Sequence, residues 1–206
     1  MATLGFRAED FAVFKIEGFS ERMERIYDRV RPRLIRLGEE LAPELARAQH
    51  LEFFPHVAKH ARRTVNPPPE TWAAFGPSPR GYKRYGYLAL CISAAGLHAR
   101  AVVKSEADRR GEMAARIRDL TPRLVKDFKG ARLARYDKWN FAALPAGEPA
   151  SAAAFGAMAD ALEKKTGGID VGFGWNLREA IRLEREEAID AFRELEPLYR
   201  ILRSVV

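Results

Sequence analysis

Short strand-like segments fill the middle of this 206-residue chain, and helical patterns lie on either side of them. The apolar runs Tyr85 to Ser93 and Leu97 to Lys104 are joined near Ala94-Ala95-Gly96, which predicts a β-hairpin. Phe53 to His60 and Trp72 to Phe75 predict two further strands. Proline-rich connectors separate these runs and can form neither helix nor central strand. A chain with this pattern is expected to form a sheet from sequence-adjacent strands.

The N-terminal region combines one predicted strand with a long helical stripe. Phe11 to Ile16 is apolar and partly β-branched, which predicts a first strand. Ser20 is the expected N-cap of the helix that follows. Pro32 and Pro43 interrupt the stripe, so a segmented helix is expected rather than a straight rod.

The C-terminal half returns to helices with two more strands between them. Ser105, with Asp108 three residues later, is typical of a helix start, and Thr121-Pro122 is expected to restart that helix. Arg132 to Trp139 and the alternating run Ile169 to Phe173 predict strands. Ser151 is expected to cap the helix between those two strands. The last predicted element is one long helix from Arg178 to Arg203.

Strands in hairpin order with helices at both ends predict an α+β fold with a mostly antiparallel sheet, in a single domain over residues 1–206. The composition, with 47% hydrophobic and 31% charged residues, is that of a globular protein. No apolar run is long enough to span a bilayer, and the first residues do not have the pattern of a secretory signal. Cys91 is the only cysteine, so no disulfide can form within the chain, and a cytoplasmic location is expected.

The positive charge of the chain is concentrated in one window. The net charge is +7, and residues 53–104 carry eight basic side chains against a single acid, Glu70, which accounts for the whole excess. A focused positive field attracts phosphates, carboxylates or a nucleic-acid backbone. The alternative is a strand-rich region whose solvent face happens to be basic.

Three familiar kinds of site are not supported by the residues. His56 and His60 would lie about 13 Å apart on one strand, too far for one metal ion, so no metal is expected. The loop Gly76 to Lys83 has its lysine one place late for a phosphate loop, and its two prolines remove backbone donors. Cys91, between apolar neighbours, is expected to be a buried and inert thiol. No cofactor is predicted.

A long motif resembles a known protein family. It runs from Phe54 to Pro68 as FPHVAKHARRTVNPP, continues as Thr71-Trp72-Ala73-Ala74-Phe75, and ends with Arg80-Gly81-Tyr82-Lys83. With Phe11 to Gly18 upstream, it resembles the YktB-like family, a group of uncharacterised bacterial proteins. The resemblance implies one α+β domain with a curved antiparallel sheet gripped by helices, similar to the TATA-binding-protein-like fold group. It implies no established activity, cofactor or catalytic residue.

The basic window, residues 53–104, is compatible with three functions. The first is a binding domain with an aromatic-lined groove for an anionic small molecule. The second is nucleic-acid binding by the same face, and the third is an enzyme acting on a phosphorylated substrate with His56 or His60 as acid or base. The expected ligand-binding residues are His56, Lys59, His60, Arg62, Arg63, Trp72, Arg80, Tyr82 and Lys83.

Overall fold

The computed structural model describes residues 2–137 and 139–203 of the chain. Its strands are β1 (Phe54–Val57), β2 (Glu70–Gly76), β3 (Tyr87–Ser93), β4 (Gly96–Val103), β5 (Arg132–Arg135), β6 (Gly147–Pro149) and β7 (Ile169–Asn176). Its α-helices are α1 (Ala8–Ala12), α2 (Phe19–Arg25), α3 (Arg31–Gln49), α4 (Arg110–Asp127), α5 (Ala152–Glu163), α6 (Leu177–Arg182), α7 (Arg185–Glu194) and α8 (Glu196–Arg203).

The strands of the described residues form one seven-stranded sheet in the order β1-β2-β3-β4-β7-β5-β6, and every pairing is antiparallel. The predicted hairpin is present as β3 and β4, with Ser93 opposite Gly96 at its turn. The α+β fold with an antiparallel sheet is thus confirmed. The similarity to the TATA-binding-protein-like group stays a prediction.

The two faces of the sheet have different coverings. One face packs against the helices and contributes Phe75, Leu88 and Leu90 to the main core, all with 0% exposure. The opposite face carries a smaller apolar cluster that includes Tyr87 and Cys91, with Trp72 and Tyr82 packed against it. Because successive residues of a strand point to opposite faces, β2 places Trp72 on this second face, where the candidate site lies.

The prediction of a first strand from Phe11 to Ile16 is wrong. The segment forms α1 and a 3₁₀ turn at Val13–Lys15. The backbone N–H of Arg7 donates to the carboxylate of Asp10 at 2.7 Å, which satisfies a donor at the helix start. Asp10 is fully buried and pairs with Arg29 at 2.7 Å, so a long-range contact anchors this helix.

The next helical region is segmented, as its prolines indicate. It begins at Phe19 after Gly18, one residue before the expected cap at Ser20. A π-helical turn at Ile26–Val30 separates α2 from α3, directly before Pro32 in the first turn of α3. Pro43 lies inside α3 without ending it.

Several other boundaries differ from the predictions. Helix α4 starts at Arg110, with Arg109 and not Ser105 at its N-cap position, and it continues through Thr121-Pro122 instead of restarting there. The hydroxyl of Thr121 donates to the carbonyl of Ile117 at 2.8 Å within the helix. Strand β5 stops at Arg135 rather than at Trp139.

The prediction of a single C-terminal helix is also wrong, since residues 177–203 form the three helices α6, α7 and α8. Leu183 ends α6, and Glu184 caps α7 with its backbone N–H donating to the carboxylate of Glu187 at 2.8 Å. Pro197 lies in the first turn of α8, where a proline starts a helix well. Ser151 does cap α5 as predicted, accepting from the Ala154 N–H at 3.2 Å. None of the described helices combines the length and the apolar character needed to cross a bilayer.

Candidate functional site

A groove of about 830 Å³ lies at the β1 edge of the sheet. Two loops form its walls, residues 58–69 between β1 and β2 and residues 77–86 between β2 and β3. We call it the basic groove. All nine residues expected at a ligand site lie in its lining, namely His56, Lys59, His60, Arg62, Arg63, Trp72, Arg80, Tyr82 and Lys83. That these residues bind a ligand stays a prediction.

Hydrogen bonds fix both loops to the rest of the molecule. The Nε2 of His56, on β1, donates to the carbonyl of Ser78 at 2.8 Å, so the strand holds the second loop. The hydroxyl of Tyr27 donates to the carbonyl of Lys59 at 2.7 Å, and Arg22 donates to that of Pro68 at 3.1 Å. The first loop is therefore tied to the helices at two points.

The second loop folds back closely over β2. A Cβ atom at Gly76 would lie only 2.8 Å from the Cβ of Tyr82, so this approach requires glycine. Gly81 has a φ of 148°, which also favours glycine. The sequence pattern Gly-Pro-Ser-Pro-Arg-Gly thus serves to bring Tyr82 onto the sheet.

Trp72 and Tyr82 form the aromatic wall of the basic groove. The indole Nε1–H of Trp72 donates to the hydroxyl oxygen of Tyr82 at 3.0 Å, and the Tyr82 ring packs edge-on against Tyr87 with centroids 4.6 Å apart. Burial raises the pKa of Tyr82 to about 12, so its hydroxyl keeps the proton at neutral pH. Because the oxygen accepts from Trp72, this proton is available to a bound acceptor.

His60 does not lie on a strand with His56, contrary to expectation. Strand β1 ends at Val57, and His60 sits in the following loop with a φ of 50°. Its Nε2 lies 3.0 Å from the Thr71 hydroxyl, and its ring packs edge-on against Trp72. Burial, with smaller contributions from Arg63 and Lys83, lowers the pKa of His60 to about 4, so it is neutral at physiological pH.

The cations of the basic groove are exposed, and most have no acidic partner. Across residues 2–137 and 139–203, no Asp or Glu lies within ion-pair distance of Lys59, Arg62, Arg63 or Arg80. Lys83 has only Glu106, at 3.9 Å. Among the described residues, no carboxylate lines the groove at all. This arrangement concentrates positive charge beside an aromatic wall.

A depression of about 760 Å³ between α4 and α8 provides a comparison. Its lining includes both signs of charge, and two of its arginines are neutralised locally. Arg123 pairs with Asp127 at 3.4 Å, and Arg200 pairs with Glu196. The two carboxylates in this depression repel an anion, so the basic groove is the better anion-binding site of the two.

A cluster of buried charges lies on the same sheet face and was not predicted from the sequence. Arg100, 1% exposed, donates to Glu70 at 2.5 Å and lies 3.4 Å from Asp170, which also pairs with Lys104 at 3.2 Å. The Arg100 guanidinium stacks on Tyr136 at 4.1 Å. Because alternate residues of a strand point to the same face, Arg100 and Lys104 are expected on one face, but nothing local indicates acids that lie 30 and 70 residues away from Arg100.

A metal centre has no support from the geometry of the described chain. In the part of the chain that the structure describes, no three His, Cys, Asp or Glu side chains meet in a way that could hold an ion. Cys91 is buried, and burial raises the pKa of its thiol. The absence of a metal in the protein stays a prediction.

Comparison with known proteins gives short but close similarities. A UPF0637 protein of Bacillus velezensis is 54% identical over 84 residues, which are 41% of this chain and 40% of that protein. One of Lysinibacillus sphaericus is 41% identical over 117 residues, or 57% of this chain and 56% of that protein. One of Staphylococcus aureus is 47% identical over 83 residues, or 40% and 41%. The chain thus spans about half the length of these relatives or less.

A family model extends the similarity along most of the chain. The model described as "Domain of unknown function (DUF1054)" matches residues 6–199. This range includes the basic groove, the whole sheet and the first half of α8. The resemblance to a bacterial family of uncharacterised proteins is thereby confirmed, and the chain belongs to the DUF1054 family.

Proposed function

We propose that the chain is a binding protein that holds an anionic small molecule in the basic groove. The observation that carries the proposal is the set of cations without acidic partners, Lys59, Arg62, Arg63 and Arg80, in a groove whose described lining contains no carboxylate. Arginine suits such a ligand because its planar guanidinium binds carboxylate or phosphate with two parallel hydrogen bonds.

The dimensions and the wall of the groove agree with a small ligand. Small-molecule sites commonly enclose about 300–1,000 Å³, and the basic groove has about 830 Å³. Trp72 and Tyr82 are half-buried and provide apolar surface for the uncharged part of the ligand. The Tyr82 hydroxyl offers a donor beside this surface, so charge, shape and hydrogen bonding act on one molecule.

Ligand-dependent thermal stabilisation tests this function. The chain is melted with a panel of phosphorylated and carboxylated metabolites, together with Arg62→Gln/Arg80→Gln and the matched control Arg132→Gln/Arg178→Gln. The control pair is exposed and lies on β5 and α6, away from β1. An anion that binds raises the melting temperature of wild type and control, but not of the groove variant. Equal shifts in all three proteins, or none in any, would contradict the proposal.

Nucleic-acid binding is the second candidate, because five exposed cations of the groove can contact a long partner, namely Lys59, Arg62, Arg63, Arg80 and Lys83. Binding through phosphates weakens with salt, with a log–log slope of about −0.9 per contact for duplex and about −0.7 for single strands. Five engaged side chains then give a slope of roughly −3 to −5. Fluorescence anisotropy across a salt series tests this, and Arg62→Ala/Arg63→Ala should flatten the slope by about one to two units.

An enzymatic role has less support from the two histidines. His56 uses its Nε2 to hold Ser78. His60, with a pKa of about 4, is almost never protonated at neutral pH and makes a poor general acid. The groove therefore favours binding over proton transfer by these groups.

A further inference from the structure

We propose that the ligand of the basic groove is a polyphosphate that carries no divalent metal ion. This inference rests on the proposed function and names the chemical class of its ligand. The phosphoryl chain can belong to inorganic polyphosphate or to a nucleoside polyphosphate, since the cations recognise the part that both share.

The number of free charges selects a ligand of high valence. Four side chains, Lys59, Arg62, Arg63 and Arg80, have no acidic partner among the described residues, and Lys83 has only a distant one. The adjacent Arg84 is neutralised by Asp108 at 2.6 Å, so pairing does occur on this loop where an acid is near. A monophosphate compensates two of these charges at most, whereas a triphosphate compensates most of them.

The cations also come from two different loops. Lys59, Arg62 and Arg63 belong to the loop after β1, and Arg80 and Lys83 belong to the loop after β2. Both loops line the same groove, and the bond from His56 to Ser78 ties them together at its base. Several phosphoryl groups in a row can contact cations of both loops, which a single phosphate cannot do equally well.

The second loop supplies side chains rather than backbone donors. Pro77 and Pro79 have no N–H, and the N–H of Arg80 already donates to the hydroxyl of Ser78 at 3.2 Å. The phosphate is therefore expected to be held by guanidinium and ammonium groups, in contrast to loops that cradle phosphate with backbone amides.

The described lining of the groove also lacks what a magnesium complex needs. Protein sites for Mg²⁺-bound phosphates provide one or two carboxylates for the ion, and no described carboxylate lines this groove. A bound Mg²⁺ would in addition reduce the negative charge that the cations attract. The metal-free form of the polyphosphate should therefore bind more tightly than its magnesium complex.

Isothermal titration calorimetry on the full chain tests the inference with four probes, orthophosphate, pyrophosphate, tripolyphosphate and ATP, each with EDTA or with excess MgCl₂. We expect the dissociation constant to fall about tenfold from orthophosphate to tripolyphosphate, since two added contacts of ordinary strength have this effect. We expect excess Mg²⁺ to weaken tripolyphosphate binding. Similar affinity for tripolyphosphate and ATP would indicate that the phosphoryl chain alone is recognised, whereas tighter ATP binding would indicate a nucleoside contact with the aromatic wall.

Two variants assign the binding to the groove. Arg62→Gln/Arg80→Gln removes one cation from each loop and should abolish the preference for tripolyphosphate over orthophosphate. Arg132→Gln/Arg178→Gln loses the same charge elsewhere and should keep it. Equal affinity for all phosphates, or a requirement for Mg²⁺, would overturn this inference alone. Failure of every anion to bind would overturn the proposed function as well. If the groove variant does not fold, the titrations of the wild-type chain with and without Mg²⁺ still test whether a metal-free polyphosphate is preferred.

Discussion

The indole of Trp72 and the phenol of Tyr82 are joined by a hydrogen bond of 3.0 Å within the aromatic wall of the basic groove. Trp72 is on strand β2, and Tyr82 is on the loop that follows the same strand, so the bond closes this loop onto the sheet. The pair has two roles, since it fixes the loop that carries Arg80 and Lys83 and provides apolar surface beside them. Loop order and ligand binding should therefore depend on one another.

Replacing Tyr82 with Phe removes the acceptor for the Trp72 N–H. Because that donor is half-buried, we expect the free energy of unfolding to fall by about 1 kcal/mol, measured by urea denaturation. Tyr27→Phe is the matched control, since the hydroxyl of Tyr27 bonds the carbonyl of Lys59 in an exposed setting. The same loss in both variants would show that the Trp72–Tyr82 bond has no special role.

Ser151 caps a helix in the structure, whereas Ser105, which has a similar sequence context, does not. Ser151 accepts the Ala154 N–H at the start of α5, so Ser151→Ala should cost about 1 kcal/mol of stability. Ser105 has a similar sequence context, but its hydroxyl donates to the carboxylate of Glu106 at 3.5 Å in an exposed position and does not cap a helix. Ser105→Ala should therefore leave the denaturation midpoint unchanged. A midpoint that falls equally in both variants would refute the assignment of the caps.

Arg100 is expected to be the most sensitive charged residue for stability. Arg100→Met leaves the carboxylate of Glu70 without its cation and takes one of the two cations from the buried Asp170, which should cost about 3–5 kcal/mol. Arg118→Met is the control, because Arg118 also pairs with two acids, Asp160 and Glu163, but in water. Chemical denaturation should show a large loss only for Arg100→Met. Comparable stability of the two variants would mean that the buried cluster is not required for folding.

His60 should make the stability of the fold depend on pH. Its pKa is about 4 in the folded chain, lowered mainly by burial, and near its ordinary value of about 6.5 in the unfolded chain. Between these values the unfolded chain binds more protons, so stability decreases as the pH falls through this window. Denaturation at about pH 7 and about pH 5 should show a smaller difference for His60→Gln than for wild type. An unchanged difference would exclude this contribution.

The sheet and the candidate site could be predicted because their signals are local. The hairpin of β3 and β4 follows from two apolar runs around one short turn, and the cap at Ser151 from one residue type at a helix start. The grouping of His56, Trp72 and Lys83 follows because antiparallel strands that are adjacent in sequence bring their connecting loops together.

The incorrect predictions concern segments whose structure is determined by contacts with residues far away in the sequence. The apolar run Phe11 to Ile16 favours a strand, but the buried pair of Asp10 and Arg29 stabilises a helix there. The partners of Arg100 lie far along the chain, so no local pattern reveals them. The C-terminal breaks were missed for another reason, since the cap at Glu184 and the position of Pro197 are local signals that the helical periodicity concealed.

Chemical-shift mapping by NMR tests the central claim most directly. The ¹⁵N-labelled chain is titrated with metal-free tripolyphosphate, and the backbone amide shifts are followed residue by residue. We predict saturable changes confined to residues 56–63, 72 and 78–85, with little change along α4 and α8. Changes centred on α4 and α8, or no saturable change anywhere, would contradict the assignment of the basic groove as an anion-binding site.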